Sequence, residues 1–286
     1  MTVGHCPACQ CIGSLKYKSN IDPSRITGIS YASRKPPEFM HHDYFECSSC
    51  RTLFTCGVDT SATLSAYVDA PLEATEESMA AAITYRRLLA KEVLTPPHSI
   101  LDIGCGDGAF LRQMLNVGTK IAHGIEPSRA AAALNQDPRV QIKASTLSEL
   151  GHTSKYEAIC LFQTIEHVQK PQELLTLMMK HLAVGGSIFL ICHDRLSLIN
   201  LVLGRRSPIF DIEHLQLFTQ NGVRLLLESC GLRVTTMHRF VNRYPLNYAL
   251  RLVMPDLESP GWLSRVSIPV PAGNLFVRAT LTFSND

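Results

Sequence analysis

Two patterns of apolar positions divide the chain. From residue 99 onward, short and nearly continuous apolar runs alternate with segments of helical periodicity. Strands that are apolar on consecutive positions are expected where both faces of a parallel sheet are covered. This pattern predicts seven strands, at residues 99–104, 121–126, 140–144, 156–162, 187–192, 232–240 and 274–284.

Helix-like segments separate most of these strands and also precede the first one. They lie at residues 75–94, 108–116, 128–136, 171–182 and 219–230. Strands that alternate with helices indicate βαβ units, so we predict an α/β fold with a doubly wound, mostly parallel seven-stranded sheet. Two insertions, 194–211 and 255–273, interrupt the pattern and are expected to shape an acceptor pocket. The apolar stretch 198–203 could instead form a homodimer face or contact a lipid-linked acceptor.

The first 58 residues have a different character, with cysteine pairs, aromatic residues and short polar runs. Residues 59–74 are predicted to be a linker, followed by the helix at 75–94. We therefore expect a small module at 1–58, a linker and lid helix at 59–98, and an α/β domain at 99–286. Tyr67 and Tyr85 precede the sheet, where packing is the favoured role and a lid over a ligand is the alternative.

Composition limits the classes of protein that fit. The chain has 286 residues, of which 45% are hydrophobic and 18% charged, which is typical of a folded protein. Its formal net charge of +2 disfavours nucleic acid as the main partner, because phosphate binding usually requires a basic excess. With no signal-like or membrane-spanning apolar stretch, we expect a cytoplasmic protein whose ten cysteines are reduced.

A glycine-rich turn, "ILDIGCGDGAFL", joins the first predicted strand of the sheet to a helix. Glycines allow a sharp turn and a close approach of the backbone to a ligand, and the helix start offers N–H groups to an anionic group. The rival interpretations are a turn without a ligand and a nicotinamide or flavin site. Asp102 argues against a dinucleotide because a carboxylate repels a diphosphate. It suits the cationic S-adenosylmethionine, and a nicotinamide-dependent oxidoreductase remains a minor alternative.

Five motifs occur in order along the chain: "LDIGCGDG", "HGIEPS", "FQTIEHVQKPQELL", "HLAVGGSIFLI" and "EHLQLFTQNGVRLLLESCGL". Together they resemble the class I S-adenosylmethionine-dependent methyltransferases, in particular the ubiquinone-biosynthesis type, over roughly residues 75–240. The resemblance implies a Rossmann-like fold and S-adenosylmethionine as cofactor. It also implies that Glu126, at the end of the second strand, accepts hydrogen bonds from the ribose hydroxyls.

The resemblance implies a set of cofactor-binding residues, in which some positions depart from the family. Ser145 and Thr146 stand where an Asp often contacts adenine. Some members hold a divalent ion with two Glu and one His at the fourth strand, but Gln163 replaces the first Glu, so we expect no metal there. The implied set is Asp102, Gly104, Cys105, Gly106, Gly108, Glu126, Pro127, Ser145, Thr146 and Gln163.

Two CxxC pairs, Cys6 with Cys9 and Cys47 with Cys50, lie in the first module. Four thiolates at this spacing can form a tetrahedral structural Zn²⁺ site, and the metal would stabilise a module too small for a large core. A redox CxxC or unrelated cysteines are the alternatives. The arrangement resembles the zinc-binding front module of nucleotide-sugar C-methyltransferases, which implies sugar-like or natural-product acceptors. Zinc-ribbon rRNA methyltransferases are the other precedent, which the near-neutral charge disfavours.

Methyl transfer from a sulfonium is an in-line displacement, to which the protein adds positioning and a base. Ligands of doubly wound sheets bind beyond the carboxyl ends of the strands. His193, His214 and His167 lie at such positions, and we rank the first two ahead of the third. The sequence thus predicts O-methylation of a small-molecule or sugar-type acceptor, with C-methylation of a nucleotide sugar and RNA methylation as alternatives.

Overall fold

A computed structural model describes residues 3–32, 35, 37–69, 75–151, 154–247, 250, 262–263 and 266–282. Its strands form two sheets, one of five strands and one of seven. In chain order the strands are β1 (Val3–His5), β2 (Ile12–Tyr17), β3 (Tyr44–Cys47), β4 (Leu53–Phe54), β5 (Ser99–Ile103), β6 (Ile121–Ile125), β7 (Val140–Ala144), β8 (Tyr156–Phe162), β9 (Leu182–His193), β10 (Gln216–Leu217), β11 (Leu232–Pro245) and β12 (Ser267–Leu281).

The seven-stranded sheet has the order β11-β12-β9-β8-β5-β6-β7. Strands β5 to β9 pair in parallel, and β12 runs antiparallel to both β9 and β11. All five residues of β5 are buried, as expected for a central strand that is covered on both faces. The predicted Rossmann-like sheet is confirmed, although β9, β11 and β12 extend beyond their predicted bounds.

Helices cover both faces of this sheet. They are α1 (Thr60–Asp69), α2 (Thr75–Glu92), α3 (Ala109–Asn116), α4 (Arg129–Ala133), α5 (Pro171–Lys180), α6 (Leu198–Leu203) and α7 (Gln220–Ser229). Helix α7 is amphipathic and buries Val223, Leu226 and Leu227 on one face.

Two segments without a predicted helix or strand contain regular structure. The predicted linker at 59–74 contains helix α1, whose start is stabilised by the Asp59 carboxylate, which accepts a hydrogen bond from the Ser61 N–H at 2.9 Å. The predicted insertion at 255–273 includes the first residues of β12, because Ser267 to Val270 pair with β11. Residues 70–74, 255–261 and 264–265 lie outside the described part of the chain.

The five-stranded sheet has the order β1-β2-β3-β4-β10 and is antiparallel. Its last strand comes from the C-terminal half of the chain: Gln216 is opposite Phe54, and Leu217 is opposite Leu53. One hydrophobic cluster also includes Phe54 of this sheet together with Leu226 of α7. The cysteine-containing module is therefore joined to the α/β part through a shared sheet and a shared core.

Helix α6 presents apolar side chains to solvent. Leu198, Leu201 and Val202 are 77%, 57% and 73% exposed.

In the described residues, none of the helices combines the length and the apolar character that crossing a bilayer requires.

Candidate active site

The glycine-rich loop leaves the carboxyl end of β5 and leads into α3. Gly104, Gly106 and Gly108 all have positive φ angles, of 76°, 55° and 73°, which side chains disfavour. A Cβ atom at Gly104 would also lie 2.4 Å from the Thr164 hydroxyl oxygen, and one at Gly108 would lie 2.9 Å from Val140 Cγ1. These glycines are required by the backbone conformation and by close packing of the loop.

Glu126 follows β6 and lies directly beside this loop. Its carboxylate accepts hydrogen bonds from the Gly106 N–H at 2.7 Å, the Ser128 N–H at 2.8 Å and the Tyr67 hydroxyl at 3.0 Å. Helix α1 thus covers the loop through Tyr67. Tyr85, by contrast, is a packing residue, 8% exposed, with its ring centroid 4.9 Å from that of Phe162.

Three carboxylates surround the loop, and the site is therefore electronegative. Asp102, Asp107 and Glu126 are each less than 5% exposed. Burial, followed by these three charges, raises the pKa of the Cys105 thiol well above its ordinary value. Asp107 forms an ion pair with Arg112 at 2.9 Å, so the negative potential comes mainly from Asp102 and Glu126. Such a site favours a cationic ligand over a diphosphate.

The remaining predicted cofactor residues lie at the ends of neighbouring strands. Pro127 follows Glu126, and the Ser145 N–H and Thr146 hydroxyl both donate to the Glu149 carboxylate, at 3.1 and 2.9 Å. The Gln163 side chain donates to the Asn274 amide oxygen at 3.1 Å. Contact of these residues with a cofactor stays a prediction.

The three histidines, by contrast, lie together. The ring centroids of His167 and His214 are 4.8 Å apart, and those of His193 and His214 are 5.6 Å apart. Burial and the neighbouring His167 lower the pKa of His193 to about 4, and burial lowers the pKa of His214 well below its ordinary value. Both imidazoles are therefore neutral at pH 7, so one ring nitrogen of each keeps its lone pair.

Sequence reasoning missed Glu213, which lies beside these histidines, and treated Glu166 only as a neighbour that orients His167. Burial, and then the nearby Asp211, raise the pKa of Glu213 to about 8. The buried Glu166 carboxylate accepts a hydrogen bond from the His193 N–H at 2.7 Å. Glu213 directly precedes His214 in the quoted motif, so its position next to a candidate catalytic base could have indicated a functional role.

The four predicted zinc ligands converge at one point. The Sγ atoms of Cys6 and Cys50, Cys9 and Cys47, and Cys9 and Cys50 are 3.6, 3.4 and 3.6 Å apart. Sulfur atoms bound tetrahedrally to Zn²⁺ at about 2.3 Å lie about 3.8 Å apart, so the set fits this ion. Burial raises the pKa of Cys9 to about 12, so this residue becomes a thiolate at pH 7 only beside a cation.

The two CxxC turns have the same backbone geometry. Gln10 and Arg51, the residues that follow each pair, both have a φ of 63°. The Gln10 N–H donates to the Cys6 carbonyl at 2.8 Å, and the Arg51 N–H donates to the Cys47 carbonyl at 3.1 Å. Matched turns of this kind direct two sulfur atoms each toward a common centre, which supports a metal site over unrelated cysteines.

The cysteine module contacts the histidine cluster directly. The buried Tyr44 hydroxyl donates to the His214 carbonyl at 2.6 Å, and the Thr219 hydroxyl donates to the Cys50 carbonyl at 2.7 Å. A buried ion pair joins Lys35 to Asp211 at 2.6 Å, close to the same segment. The module therefore forms one wall beside the histidines.

A family profile described as "Methyltransferase domain" matches residues 73–237, which is more than half of the chain. The chain belongs to this family. The match begins just before α2 and ends in β11, so it includes the glycine-rich loop, Glu126 and all three histidines.

Curated relatives of this methyltransferase domain match parts of the chain. The mitochondrial ubiquinone biosynthesis O-methyltransferase of Dictyostelium discoideum is 25% identical over 125 residues, 37% of this chain and 39% of the relative. The tRNA U34 carboxymethyltransferase of Aliivibrio salmonicida is 26% identical over 100 residues, 32% of this chain and 31% of the relative. The matched part thus spans about two fifths or less of each relative's length.

Solved structures share the methyltransferase fold. The plantazolicin methyltransferase BpumL, in complex with a monoazolic desmethylPZN analog and SAH, aligns with a TM-score of 0.51 and 20% identity, covering 73% of this chain and 85% of that one. A putative methyltransferase from Bacillus halodurans aligns with a TM-score of 0.51 and 12% identity. The alignment covers 68% of this chain and 96% of that one. At these identities the likeness establishes the fold alone.

Proposed function

We propose that the protein transfers the methyl group of S-adenosylmethionine to an oxygen atom of a small-molecule or sugar-type acceptor. The observation that carries the proposal is the pair of buried carboxylates, Asp102 and Glu126, beside the glycine-rich loop. They favour a ligand that carries ammonium and sulfonium charges and disfavour a dinucleotide. Membership in the methyltransferase domain family supports the same cofactor.

The residues of the loop have distinct roles in this proposal. The Glu126 carboxylate accepts from the ribose hydroxyls, and Tyr67 keeps that carboxylate in place from the covering helix α1. Asp102 faces the cationic end of the cofactor. The positive-φ glycines let the backbone approach the ligand without the clash that a side chain would cause.

The acceptor is bound on the side of the histidines. His193 ends β9, and neutral imidazoles there accept the proton that the acceptor hydroxyl loses as its oxygen attacks the methyl carbon. S-adenosylmethionine supplies an activated methyl group, so the chain contributes orientation and proton removal. The O-methyltransferase relatives support oxygen as the acceptor atom, and the net charge of +2 disfavours RNA.

The proposal includes a structural zinc site made of Cys6, Cys9, Cys47 and Cys50. Its proposed role is to stabilise the front module, residues 1–58, which contacts the acceptor side through Tyr44. The α/β part at 99–286 then supplies the cofactor site, with 59–98 as the connecting and covering segment.

The first test is cofactor binding by calorimetry. We expect Glu126→Gln and Asp102→Asn to weaken S-adenosylmethionine binding roughly 10- to 100-fold each, because hydrogen bonds to charged groups contribute about 1.5–3 kcal/mol. Glu173→Gln, an exposed carboxylate on α5, is the matched control and should bind normally. Binding of NAD(H) without binding of S-adenosylmethionine, or unchanged affinity in both site variants, would contradict the proposal.

A second measurement addresses the acceptor. Transfer of a labelled methyl group should be measured with panels of phenols, glycosides and nucleotide sugars, and the bond formed should be identified by mass spectrometry. Methyl ethers are the expected products, and a new C–CH₃ bond would refute the choice of oxygen.

A further inference from the structure

Three side chains of residue types that bind metals, from two separate segments, meet near the carboxyl end of β8. His167 follows β8, while Glu213 and His214 precede β10, and one ligand atom of each lies within 4.8 Å of the others. The two segments are held together by a hydrogen bond from the Leu215 N–H to the Glu166 carbonyl, at 2.8 Å. The juxtaposition is therefore part of the backbone structure and does not depend on flexible side chains alone.

Both histidines are already oriented in the way that metal-bound histidines are. The Nδ1 atom of His167 lies 3.0 Å from the Glu213 carbonyl oxygen, and that of His214 lies 2.9 Å from the Ile209 carbonyl oxygen. A carbonyl only accepts, so Nδ1 carries the hydrogen and Nε2 keeps its lone pair. Histidine ligands commonly donate their other ring N–H to such a carbonyl, which fixes the ring and the tautomer.

Two carboxyl groups beside these histidines, those of Glu213 and Glu166, lack full hydrogen-bond partners. Within the described part of the chain, the Glu213 carboxylate has no hydrogen bond or ion pair, and Lys35, which attracts it from a distance, is paired with Asp211. Glu166 is fully buried, and its Oε2 atom has no hydrogen-bond partner among the same residues. Glu166 interacts electrostatically with both His167 and Glu213. Burial favours the neutral form of both acids, and a divalent cation at this point would stabilise their ionised form instead.

We infer that His167, Glu213 and His214 bind a divalent transition-metal ion, in addition to the ion of the cysteine module. Two imidazoles and one carboxylate suit Zn²⁺, Co²⁺, Ni²⁺ or Fe²⁺ better than Mg²⁺ or Ca²⁺, which prefer oxygen ligands. Three protein ligands leave a coordination position open, as in catalytic sites. This ligand set differs from the two Glu and one His that some relatives use at the fourth strand, where Gln163 replaces the first Glu and donates to the Asn274 amide oxygen.

The ion deepens the proposed methyl transfer, on which this part of the inference rests. An acceptor hydroxyl bound at the open position would become more acidic. The acceptor oxygen then forms a bond to the methyl carbon as the carbon–sulfur bond breaks. The products would be the methyl ether, S-adenosylhomocysteine and a proton released to water.

The test is the number and type of ions bound per chain after the full-length protein is loaded with Co²⁺. We expect two ions in the unmodified protein and one in Glu213→Gln, whose affinity for the second ion should fall about 10-fold or more. Cys47→Ser should remove the other ion, whose thiolate ligands give a strong charge-transfer absorption that the histidine site lacks. Glu173→Gln makes the same carboxylate-to-amide change at an exposed side chain on α5, and this control variant should bind two ions.

One ion in the unmodified protein, or two ions in both Glu213→Gln and His167→Ala, would overturn the inference. S-adenosylmethionine binding, measured on the same samples, distinguishes a failure of this metal-site inference from a failure of the proposed function. A protein that binds the cofactor and only the thiolate-bound ion contradicts the second metal site alone. A protein that binds both ions but not the cofactor contradicts the proposed methyl transfer.

Discussion

Tyr44→Phe tests whether the cysteine module positions the histidine cluster. Tyr44 lies in β3, is fully buried, and donates its hydroxyl hydrogen to the His214 carbonyl at 2.6 Å. Its ring stacks on His41 with centroids 5.4 Å apart and contacts Phe210 edge-on at 5.9 Å. Phenylalanine keeps this packing, so the substitution removes one hydrogen bond and leaves the His214 carbonyl without that donor.

The expected magnitude follows from this geometry. Leaving a buried acceptor unsatisfied costs about 1–3 kcal/mol, and no loss of apolar contact adds to it. Part of this cost should appear as a lower free energy of unfolding and part as displacement of His214. Because small misplacements at a reaction centre can reduce rates up to about 100-fold, we expect methyl transfer to fall roughly 10-fold. Cofactor affinity should not change, since Asp102 lies in β5 and Glu126 follows β6, away from Tyr44 in β3.

The assay combines urea unfolding, calorimetric binding of S-adenosylmethionine and the rate of labelled methyl transfer. Tyr156→Phe is the matched control: Tyr156 is also buried, and its hydroxyl lies 2.8 Å from His123 Nδ1, on β6 of the large sheet. This control should lose comparable stability and keep its transfer rate. If Tyr44→Phe transfers methyl groups as fast as the unmodified protein, or if both variants slow equally, the positioning argument is wrong.

Two further predictions concern the cysteine module. Cys47→Ser should lower bound zinc by about one ion per chain and reduce methyl transfer more than cofactor binding, as measured by metal analysis and calorimetry; normal zinc content would refute the four-cysteine site. The second concerns His41, whose pKa burial lowers, with smaller effects from His42, Arg205 and Asp43. Below about pH 6.5 the unfolded chain therefore binds a proton that the folded chain does not, so the free energy of unfolding should fall as the pH decreases from about 7.5 to about 5.5. His41→Asn should reduce this pH dependence in urea titrations, and an unchanged dependence would contradict the assignment.

Features encoded in short, contiguous segments were predictable from the sequence. The parallel strands followed from continuous apolar runs, because β5 and its neighbours are covered on both faces. The glycine-rich turn was equally predictable, because positive φ angles at Gly104, Gly106 and Gly108 favour residues without a Cβ. The convergence of the four cysteines followed from two local turns of the same geometry.

Contacts between distant segments were not predictable in this way. The Tyr44–His214 hydrogen bond joins residues 170 positions apart, and the His167–Glu213 contact joins residues 46 positions apart. Likewise, nothing local to residues 216–217 indicates that they add a strand to the sheet of the cysteine module. Helix α1 lies within the segment that was expected to be a linker. Its residues carry only a weak amphipathic pattern, which gives little indication of a helix.

The sequence by itself determined the fold class, the cofactor loop and the cysteine pairs, because each depends on side-chain periodicity or backbone conformation within a few residues. Only the tertiary structure decided that the cysteine module shares a sheet with the α/β part and that Glu213 joins the histidines. These arrangements depend on which buried surfaces and backbone hydrogen bonds the whole chain can satisfy at once, and no local pattern records that choice.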